Sequence, residues 1–360
     1  MHKTLWREIK KEKNYLLAGK PVPRLLILNA GSRNHLIRCF LKSWAEQGEI
    51  IVSDSYPLAP SLYEDCRSFI IPFYKHKNYT EAILDLCEKQ KVTGVLSLID
   101  PDLSILSELK TEFASAGILA FISEEWIVKA TFDKWEMFKV FEANHIPTVK
   151  SWADLSEFLN DVKNGKAGYP IMVKPREGSG SRGLHYIESE ETLISVWNNA
   201  IEPMLIQRWI EGRELGADLY FDIYSGELIE FFIKEKLKMR AGETDKSVSL
   251  RDEKAENLLK RLSRNLALYG PIDVDLFITA HDDYLISEIN PRFGGGYPHA
   301  YACEADYPGL ILQNMQGKHL TEQKIKWQSG HYMMKFFDMV FIDDKTRRNA
   351  GEEIKQQEEN

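Results

Sequence analysis

The first third of the chain alternates buried-strand patterns with helical patterns, and this alternation then stops. Residues 24–30 and 49–54 have the composition of buried strands, and Leu36 to Trp44 between them has helical periodicity. The same order continues with a strand, a helix and a strand at 69–72, 79–90 and 92–99. Strands that alternate with helices form right-handed βαβ units around a parallel sheet. We therefore predict a Rossmann-like α/β lobe over residues 24–125.

The pattern changes from Tyr169 onward, where short strands follow one another directly. Two helical stretches, 133–144 and 156–163, precede this change. The predicted strands are 170–174, 183–187, 204–209, 214–223 and 227–234, and a helix at 253–269 and strands at 273–279 and 284–290 follow them. This succession is typical of an antiparallel α+β fold. We divide the chain into an arm (1–23), the α/β lobe (24–125), a linker and smaller lobe (126–210), a larger lobe (211–345) and a charged tail (346–360).

Composition narrows the classes of function. The 360 residues suit two or three lobes, and the net charge of −8 argues against a general affinity for nucleic acid. The longest apolar run near the start, Leu25 to Leu28, is far below the ~20 residues of a membrane-spanning helix. Four scattered cysteines without C-x-x-C spacing fit a reducing compartment. We expect a cytoplasmic protein with no membrane partner.

A glycine-rich segment lies between two predicted strands. Gly178, Ser179, Gly180, Ser181 and Gly183, with Arg182, spell G-x-G-x-x-G, but a dinucleotide fingerprint would need a helix after the glycines. Between strands, the backbone N–H groups of such a loop can close over phosphates. We interpret the segment as a phosphate lid, with a plain hairpin turn as the alternative.

Two lysines accompany this loop. Lys174 ends the strand that leads into it, and a lysine at that position supplies positive charge to phosphates. Lys134 begins the helix that opens the second part of the chain, and beside Lys174 it becomes a second phosphate contact. Alone, it would be an ordinary surface lysine.

An acidic hairpin follows near residue 280. Asp273 and Asp275 share one strand face, and Glu288, Asn290 and Arg292 share another. A two-residue turn at His281-Asp282 would place Asp275 opposite Glu288 and Asp273 opposite Asn290. Opposed carboxylates repel, so a positive group should lie between them. Oxygen ligands from Asp275, Glu288 and Asn290 suit Mg²⁺, and Arg292 could then hold a phosphoryl group; a solvated acidic hairpin is the alternative.

The order of these motifs resembles that of ATP-grasp enzymes, over roughly residues 24–315. The resemblance is to the large subunit of carbamoyl phosphate synthetase and its single-unit relatives. The motifs that carry it are Lys134, the stretch 169–175, the glycine loop, residues 211–214 and residues 288–292. It implies a Rossmann-like pre-grasp domain, a lid subdomain within 126–210 and a central antiparallel domain within 211–345, with ATP between the last two.

The resemblance also implies roles for particular residues. Lys134 and Lys174 would contact phosphates, Asp275, Glu288 and Asn290 would bind Mg²⁺, and Arg292 would face the reacting phosphate. The hinge around Gln207, Trp209 and Ile210 would meet adenine, largely through backbone groups. Glu214 would hold the ribose hydroxyls. Many relatives have glutamate where this chain has Gln207, which leaves the role of that side chain open.

Two further segments follow from the resemblance. Residues 234–244 are similar to a substrate-side loop, in which Arg240 would hold a substrate carboxylate; a solvated charge run is the alternative. Gly294, Gly295 and Gly296 would let the backbone approach a ligand closely. His299 is nearby and is interpreted as structural.

These features predict an ATP- and Mg²⁺-dependent carboxylate–amine ligase with small-molecule substrates. ATP would activate the acid as an acyl phosphate, which an amine then attacks. A complete carbamoyl phosphate synthetase uses two such units and this chain has one. The rivals are a non-catalytic ATP-binding subunit or scaffold, and a dinucleotide oxidoreductase, although the first strand turn offers only Gly31. The oligomeric state stays open, a homodimer included.

Overall fold

The first lobe is built on a parallel sheet with helices on both faces. The computed structural model describes residues 16–17, 20–178 and 183–347. A short antiparallel pair, β1 (Leu16–Leu17) and β2 (Lys20–Pro21), precedes the lobe. The parallel strands are β3 (Arg24–Leu28), β4 (Glu49–Asp54), β5 (Arg67–Ile70), β6 (Gly94–Ser97) and β7 (Leu119–Ala120), in the order β5-β4-β3-β6-β7. The α/β prediction for this lobe is confirmed.

Four helices belong to this lobe, and only the first two were predicted. They are α1 (Asn34–Trp44), α2 (Tyr79–Gln90), α3 (Asp100–Glu108) and α4 (Lys110–Ser115), with a 3₁₀ turn at Pro60–Tyr63. A buried network ties the sheet to α3: the amide of Asn29 and the hydroxyl of Tyr79 both donate to the carboxylate of Asp102, at 2.9 and 2.6 Å. It holds the start of α3, and with it Asp100, at the carboxyl edge of the sheet.

A smaller lobe follows two connecting helices, α5 (Glu125–Phe132) and α6 (Lys134–Ala143). Its strands form an antiparallel sheet in the order β10-β9-β11-β8, and two helices cover the sheet. The elements are β8 (Ser151–Trp152), α7 (Leu155–Lys163), β9 (Ile171–Pro175), β10 (His185–Ile187), α8 (Glu190–Asn198) and β11 (Met204–Arg208). The glycine-rich segment joins β9 to β10, as predicted.

The larger lobe carries a six-stranded antiparallel sheet in the order β16-β15-β12-β13-β14-β17. Its strands are β12 (Gly212–Phe221), β13 (Leu228–Arg240), β14 (Glu243–Ser249), β15 (Gly270–Thr279), β16 (Tyr284–Asn290) and β17 (Tyr332–Met334). Its helices are α9 (Glu253–Asn265), α10 (Tyr297–Ala302) and α11 (Tyr307–Met315). The interpretation of residues 234–244 as a loop was wrong, because β13 continues to Arg240 and turns directly into β14.

One hydrophobic core joins the first and the larger lobe, whereas the smaller lobe has its own. Side chains of α1 pack with α10 and α11, and the indole of Trp44 donates to the carbonyl of Pro308 at 2.8 Å. The core of the smaller lobe is centred on Phe158, Ile171 and Leu193. The antiparallel prediction for this half of the chain is confirmed. No helix among the described residues is long and apolar enough to cross a membrane.

Candidate functional site

The acidic hairpin has the predicted pairing, reached by a different turn. Asp275 lies opposite Glu288, and Asp273 lies opposite Asn290. The two-residue turn was wrong: the N–H of Thr279 donates to the carbonyl of Asp283 at 2.9 Å, which leaves three residues in the turn. The register then shifts beyond Leu276, which faces Ile286. The longer turn adds one residue on the β15 side, and the bulge adds one residue on the β16 side. The two extra residues offset each other, so the predicted pairs are restored.

A lysine of β13, which is separated from β15 by β12, neutralises one of the two carboxylates. The ammonium of Lys236 lies 2.6 Å from the carboxylate of Asp275 and 2.8 Å from that of Glu214. Burial alone would lower the pKa of Lys236, but the charges of Asp275 and Glu214 raise it above its ordinary value. The predicted positive group beside the acidic pair is thus partly supplied by the protein itself.

Gly216 makes this arrangement possible. It lies opposite Asp275 on β12, and a Cβ there would be 3.1 Å from the Cε of Lys236 and 3.3 Å from that of Lys234. Both lysine chains cross the sheet over this glycine. Lys234 forms a buried ion pair with Asp218 on the same face.

Glu288 has no such partner. Its carboxylate forms neither a hydrogen bond nor an ion pair with any residue that the structure describes. It borders two small cavities, one lined by Lys134 and Gln207 and the other by Asp100 and Gly178. Its charge acts on Lys174 and on Arg292. A carboxylate that has no direct partner and lies opposite a second carboxylate, Asp275, is where a cationic ligand would be stabilised.

The donor set around Glu288 fits a divalent cation bound together with phosphates. Glu288 and Asp275 supply carboxylate oxygens, and the Oδ1 of Asn290 accepts only a long contact of 3.3 Å from Arg292. Among the described residues, no three His, Cys, Asp or Glu side chains form a metal cluster. A cation here would therefore complete its oxygen shell with ligand or water oxygens, as Mg²⁺ commonly does.

The two lysines predicted to contact phosphates, Lys174 and Lys134, lie close enough for their charges to interact. Lys174, buried on β9, donates to the Oε1 of Gln207 at 2.9 Å, and the amide of Gln207 donates to the hydroxyl of Ser151 at 3.2 Å. Burial lowers the pKa of Lys174, and the charge of Lys134 lowers it further. An anionic ligand would reverse that destabilisation of the ammonium group. Gln207 thus fixes Lys174 in this structure.

Lys134 is positioned by the cap of α6. Asp133 accepts from the backbone N–H of Trp135 at 2.9 Å and is ion-paired with Arg176. The ammonium of Lys134 then reaches the carbonyl of Gly178 at 2.7 Å. Lys134 therefore lies against the start of the glycine-rich segment.

Of that segment, Ser179, Gly180 and Ser181, like Arg182, lie outside the described residues. Gly183 closes it with a φ of 66°, and a Cβ there would be 3.0 Å from the Cγ of Pro175. A larger residue at position 183 would be strained on both counts.

Two of the residues predicted to meet adenine lie between the two antiparallel lobes. Trp209 and Ile210 connect the two antiparallel sheets, and their backbone groups make no hydrogen bond within the described part of the chain. The indole of Trp209 packs edge-on against Tyr186, with ring centroids 5.0 Å apart. Glu214 follows on β12, where Lys236 holds its carboxylate.

Arg292 links the larger lobe to the first lobe. Its guanidinium donates to the carboxylate of Asp100 at 2.9 Å and lies 3.7 Å from that of Asp273. Burial opposes its charge, yet Asp100 and Asp273 raise its pKa above the ordinary value. Burial and the charge of Asp275 raise the pKa of Asp273 to about 7. No sequence pattern predicted the contact between Arg292 and Asp100.

Arg33 is a candidate site residue that sequence reasoning missed. It follows Gly31 at the carboxyl edge of the parallel sheet and is ion-paired with Glu243 at 2.9 Å. Burial lowers its pKa, and the positive charge of Arg292 lowers it further. The Nη1 of Arg33 and the Nε of Arg292 are buried without a hydrogen-bond partner among the described residues. Two neighbouring guanidinium groups with unused donors favour an anion between the lobes; the turn after the first strand was the available signal.

Arg240 lies apart from these groups. Its guanidinium pairs with Asp245 at 3.0 Å and lies 4.9 Å from the ring centroid of Phe337. The glycine run packs against the protein itself, because a Cβ on Gly294 would be 2.3 Å from the carboxylate of Asp273. His299 is buried, and its ring accepts from Ser247 and donates to the carbonyl of His331, at 2.8 and 3.0 Å. Burial lowers its pKa to about 4, so the ring is neutral.

Comparison with known proteins agrees with this geometry. The family model described as "ATP-grasp domain" matches residues 131–296, and that described as "PylC-like, N-terminal domain" matches residues 25–121. The first covers both antiparallel lobes as far as the glycine run. Residues 131–296 therefore form an ATP-grasp domain.

Solved structures share the fold at low sequence identity. The biotin carboxylase domain of Hydrogenobacter thermophilus 2-oxoglutarate carboxylase, a dimer in complex with MgADP, ADP and bicarbonate, has a TM-score of 0.69 at 17% identity, covering 86% of this chain and 73% of that one. N5-carboxyaminoimidazole ribonucleotide synthetase from Thermotoga maritima has a TM-score of 0.63 at 17% identity, covering 84% and 78%. Biotin carboxylase from Campylobacter jejuni gives 0.69 at 17%, covering 86% and 74%. The resemblance to carbamoyl phosphate synthetase stays a prediction.

Proposed function

We propose that this protein is an ATP- and Mg²⁺-dependent ligase that activates a small carboxylate as an acyl phosphate for attack by an amine. The observation that carries the proposal is the uncompensated carboxylate of Glu288, which faces Asp275 and is flanked by Lys174 on one side and Arg292 on the other. A metal–phosphate complex requires negative charge to bind the metal ion and positive charge to bind the phosphates, and this arrangement supplies both. Glu288 is half-buried and has no direct partner among the described residues, so its carboxylate is available to a cationic ligand.

The nucleotide would lie between the two antiparallel sheets. Lys134 and Lys174 would hold its phosphates, with the backbone of Gly178 to Gly183 closing over them. The unpaired backbone groups of Trp209 and Ile210 would bind adenine. Glu214, which shares Lys236 with Asp275, would accept hydrogen bonds from the ribose hydroxyls. Asp275, Glu288 and Asn290 would hold Mg²⁺, which would neutralise charge on the phosphates.

The acid substrate would bind between the first and the larger lobe. The free donors of Arg33 and Arg292 face this junction and provide complementary charge for a carboxylate. Arg292 is common to both halves of the site, since it is close to Asp273 of the acidic hairpin and to Asp100 of the first lobe. It could therefore hold the carboxylate next to the transferred phosphoryl group. The protein contributes orientation and charge neutralisation, and no side-chain nucleophile is required.

The test is a screen of carboxylate–amine pairs for ADP release in the presence of ATP and Mg²⁺. Carboxylates that raise the melting temperature of the protein with ATP are chosen first. ADP release that depends on both the acid and the amine supports the ligase. ATP binding without turnover for any pair would favour a non-catalytic ATP-binding subunit, and failure to bind ATP would reject both.

A further inference from the structure

An exposed apolar segment follows the site at the edge of the six-stranded sheet. Residues 332–341, which we call the edge segment, read Tyr-Met-Met-Lys-Phe-Phe-Asp-Met-Val-Phe. Its four aromatic side chains, Tyr332, Phe336, Phe337 and Phe341, are each between 66% and 85% exposed. Met334 and Met339 are exposed to a similar degree. Only Lys335 and Asp338 carry charge.

The area of this segment is that of a subunit interface. At ~200 Å² for a fully exposed aromatic side chain, the four rings alone present about 600 Å² to solvent. The two methionines add to this area, which alternate side chains divide between the two faces of the segment. A stable interface of standard size buries about 800 Å² on each partner.

On one side, the backbone of the edge segment directs hydrogen-bonding groups away from the sheet. β17 is the outermost strand and pairs only with β14. The N–H of Lys335 donates to the carbonyl of Asp245 at 2.8 Å, and the carbonyl of His331 accepts from Ser249 at 2.8 Å, so the odd-numbered residues face β14. The even-numbered residues Tyr332, Met334 and Phe336 therefore direct their backbone groups away from the sheet.

Beyond β17 the chain passes the first lobe, where the ring centroid of Phe336 lies 6.0 Å from that of His35. Residues 335–343 contain no turn or bend. The backbone N–H groups of Phe336, Phe337, Asp338, Val340 and Phe341 donate to no residue within the described ranges. An apolar edge with unpaired backbone groups is the template for addition of another strand.

We propose that the edge segment is the dimer interface of this protein, paired antiparallel with the same segment of a second copy. A two-fold axis perpendicular to the sheet pairs the segment with itself, so that the outward backbone groups of even-numbered residues bond those of even-numbered residues in the second copy. Phe336 is the even-numbered residue nearest the middle of the segment. Pairing centred there joins Phe336 to Phe336 of the second copy and continues the two sheets as one, and such isologous pairing closes without further growth.

The interface would lie close to the proposed position of the acid substrate beside Arg33. Lys335 contacts the carboxylate of Glu243 at 2.7 Å, and Glu243 is also the partner of Arg33. Phe337 lies against Arg240, and Asp338 is 3.1 Å from Arg38 of the first lobe. A second copy would cover the outer side of these contacts.

Sedimentation velocity of the full chain over a broad concentration range tests the proposal. We expect a concentration-dependent dimer whose Kd rises at least ~30-fold with Phe336→Ser, the effect of losing one hot-spot side chain. Ile201→Ser is the matched control, because Ile201 is fully exposed elsewhere and its loss should leave the dimer unchanged. A wild-type protein that stays monomeric at all concentrations would overturn the proposal.

Cysteine cross-linking tests the register independently of stability. Phe336→Cys should form a disulfide-linked dimer, whereas Tyr332→Cys should not, since its two copies would be ~26 Å apart, beyond the reach of a disulfide. Equal cross-linking at both positions would contradict the two-fold pairing. Co-sedimentation of a monomeric protein with phosphatidylcholine vesicles would identify the segment as a lipid contact instead and would also overturn the proposal.

Discussion

Asp275 and Glu288 face each other across β15 and β16 in different electrostatic states. Asp275 is ion-paired with Lys236, whereas Glu288 has no ionic partner within the described residues. The protein therefore compensates one charge of the pair and leaves the other for a ligand. This asymmetry identifies Glu288 as the more informative position for substitution.

Glu288→Gln removes the uncompensated charge and keeps the shape of the side chain. Substrate-dependent ADP release should fall by ~10²–10³, as for loss of another electrostatic contact to a transition state. The melting temperature of the ligand-free protein should change little, because repulsion with Asp275 is removed together with the attraction to Lys174 and Arg292. Asp283→Asn, at the exposed turn of the same hairpin, is the control. Full turnover in Glu288→Gln would remove this residue from the mechanism.

Calorimetry should show binding of ATP with Mg²⁺ and no binding of NAD or NADP. The turn after β3 contains Gly31 alone, whereas dinucleotide binding there requires several glycines. Chelation of Mg²⁺ should weaken ATP binding, since Glu288 and Asp275 would then repel the phosphates. Saturable NAD binding, or ATP binding that is insensitive to chelation, would contradict the proposed site.

Arg33→Gln should raise the KM for the carboxylate by ~10–100-fold while the Kd for ATP stays constant. This change in KM corresponds to the loss of one charge-assisted hydrogen bond of ~1.5–3 kcal/mol. Arg240→Gln is the comparison, because its guanidinium is already paired with Asp245. A larger effect at Arg240 than at Arg33 would restore the role that the sequence assigned to Arg240.

Tyr79→Phe should lower the free energy of unfolding by ~1–3 kcal/mol. The substitution deprives the fully buried carboxylate of Asp102 of its 2.6 Å hydrogen bond. Tyr63→Phe, whose hydroxyl bonds the carbonyl of Pro57 at the surface, should change stability by less than ~0.5 kcal/mol. Chemical denaturation of both variants provides the measurement, and equal effects would show that the buried network contributes little.

Glu230 should make the protein less stable as the pH rises. Burial raises the pKa of this carboxyl from 4.5 to about 7, so between these values the folded protein retains a proton that the unfolded chain has lost. The free energy of unfolding then falls across this window, by up to about 3 kcal/mol. Glu230→Gln should therefore stabilise the protein above pH 7 and have little effect near pH 4.5. The exposed Glu227→Gln serves as control, and a gain independent of pH would contradict the assignment.

Local pattern predicted most of the fold and the pairing at its centre. Strand and helix periodicity predicted both kinds of sheet, and the alternation of acidic residues predicted the pairing of Asp275 with Glu288. The turn was wrong because Asp282 adopts a left-handed conformation, with a φ of 64°, that adds a residue to the turn. Helices α3, α4, α5, α8, α10 and α11 were not predicted, because each has only 6–9 residues and its apolar spacing spans few turns.

Contacts between lobes could not be predicted from the sequence. Arg33 and Asp100 lie in loops or at helix starts, and their partners Glu243 and Arg292 are far along the chain. No periodicity links such positions. Lys236 was missed for a related reason, since its segment was interpreted as a loop and therefore had no defined face.

The bond between Asp100 and Arg292 also limits how the domains of this protein could be exchanged. Arg292 belongs to the larger lobe, but the acid that orients it comes from the first turn of α3 in the first lobe. A chimera that received its first lobe from another ATP-grasp protein would need an equivalent acid at that helix start. Without one, the guanidinium of Arg292 would lack one of its two acidic partners. Compatibility between the grafted parts would therefore depend on this pair more than on the length of the linker.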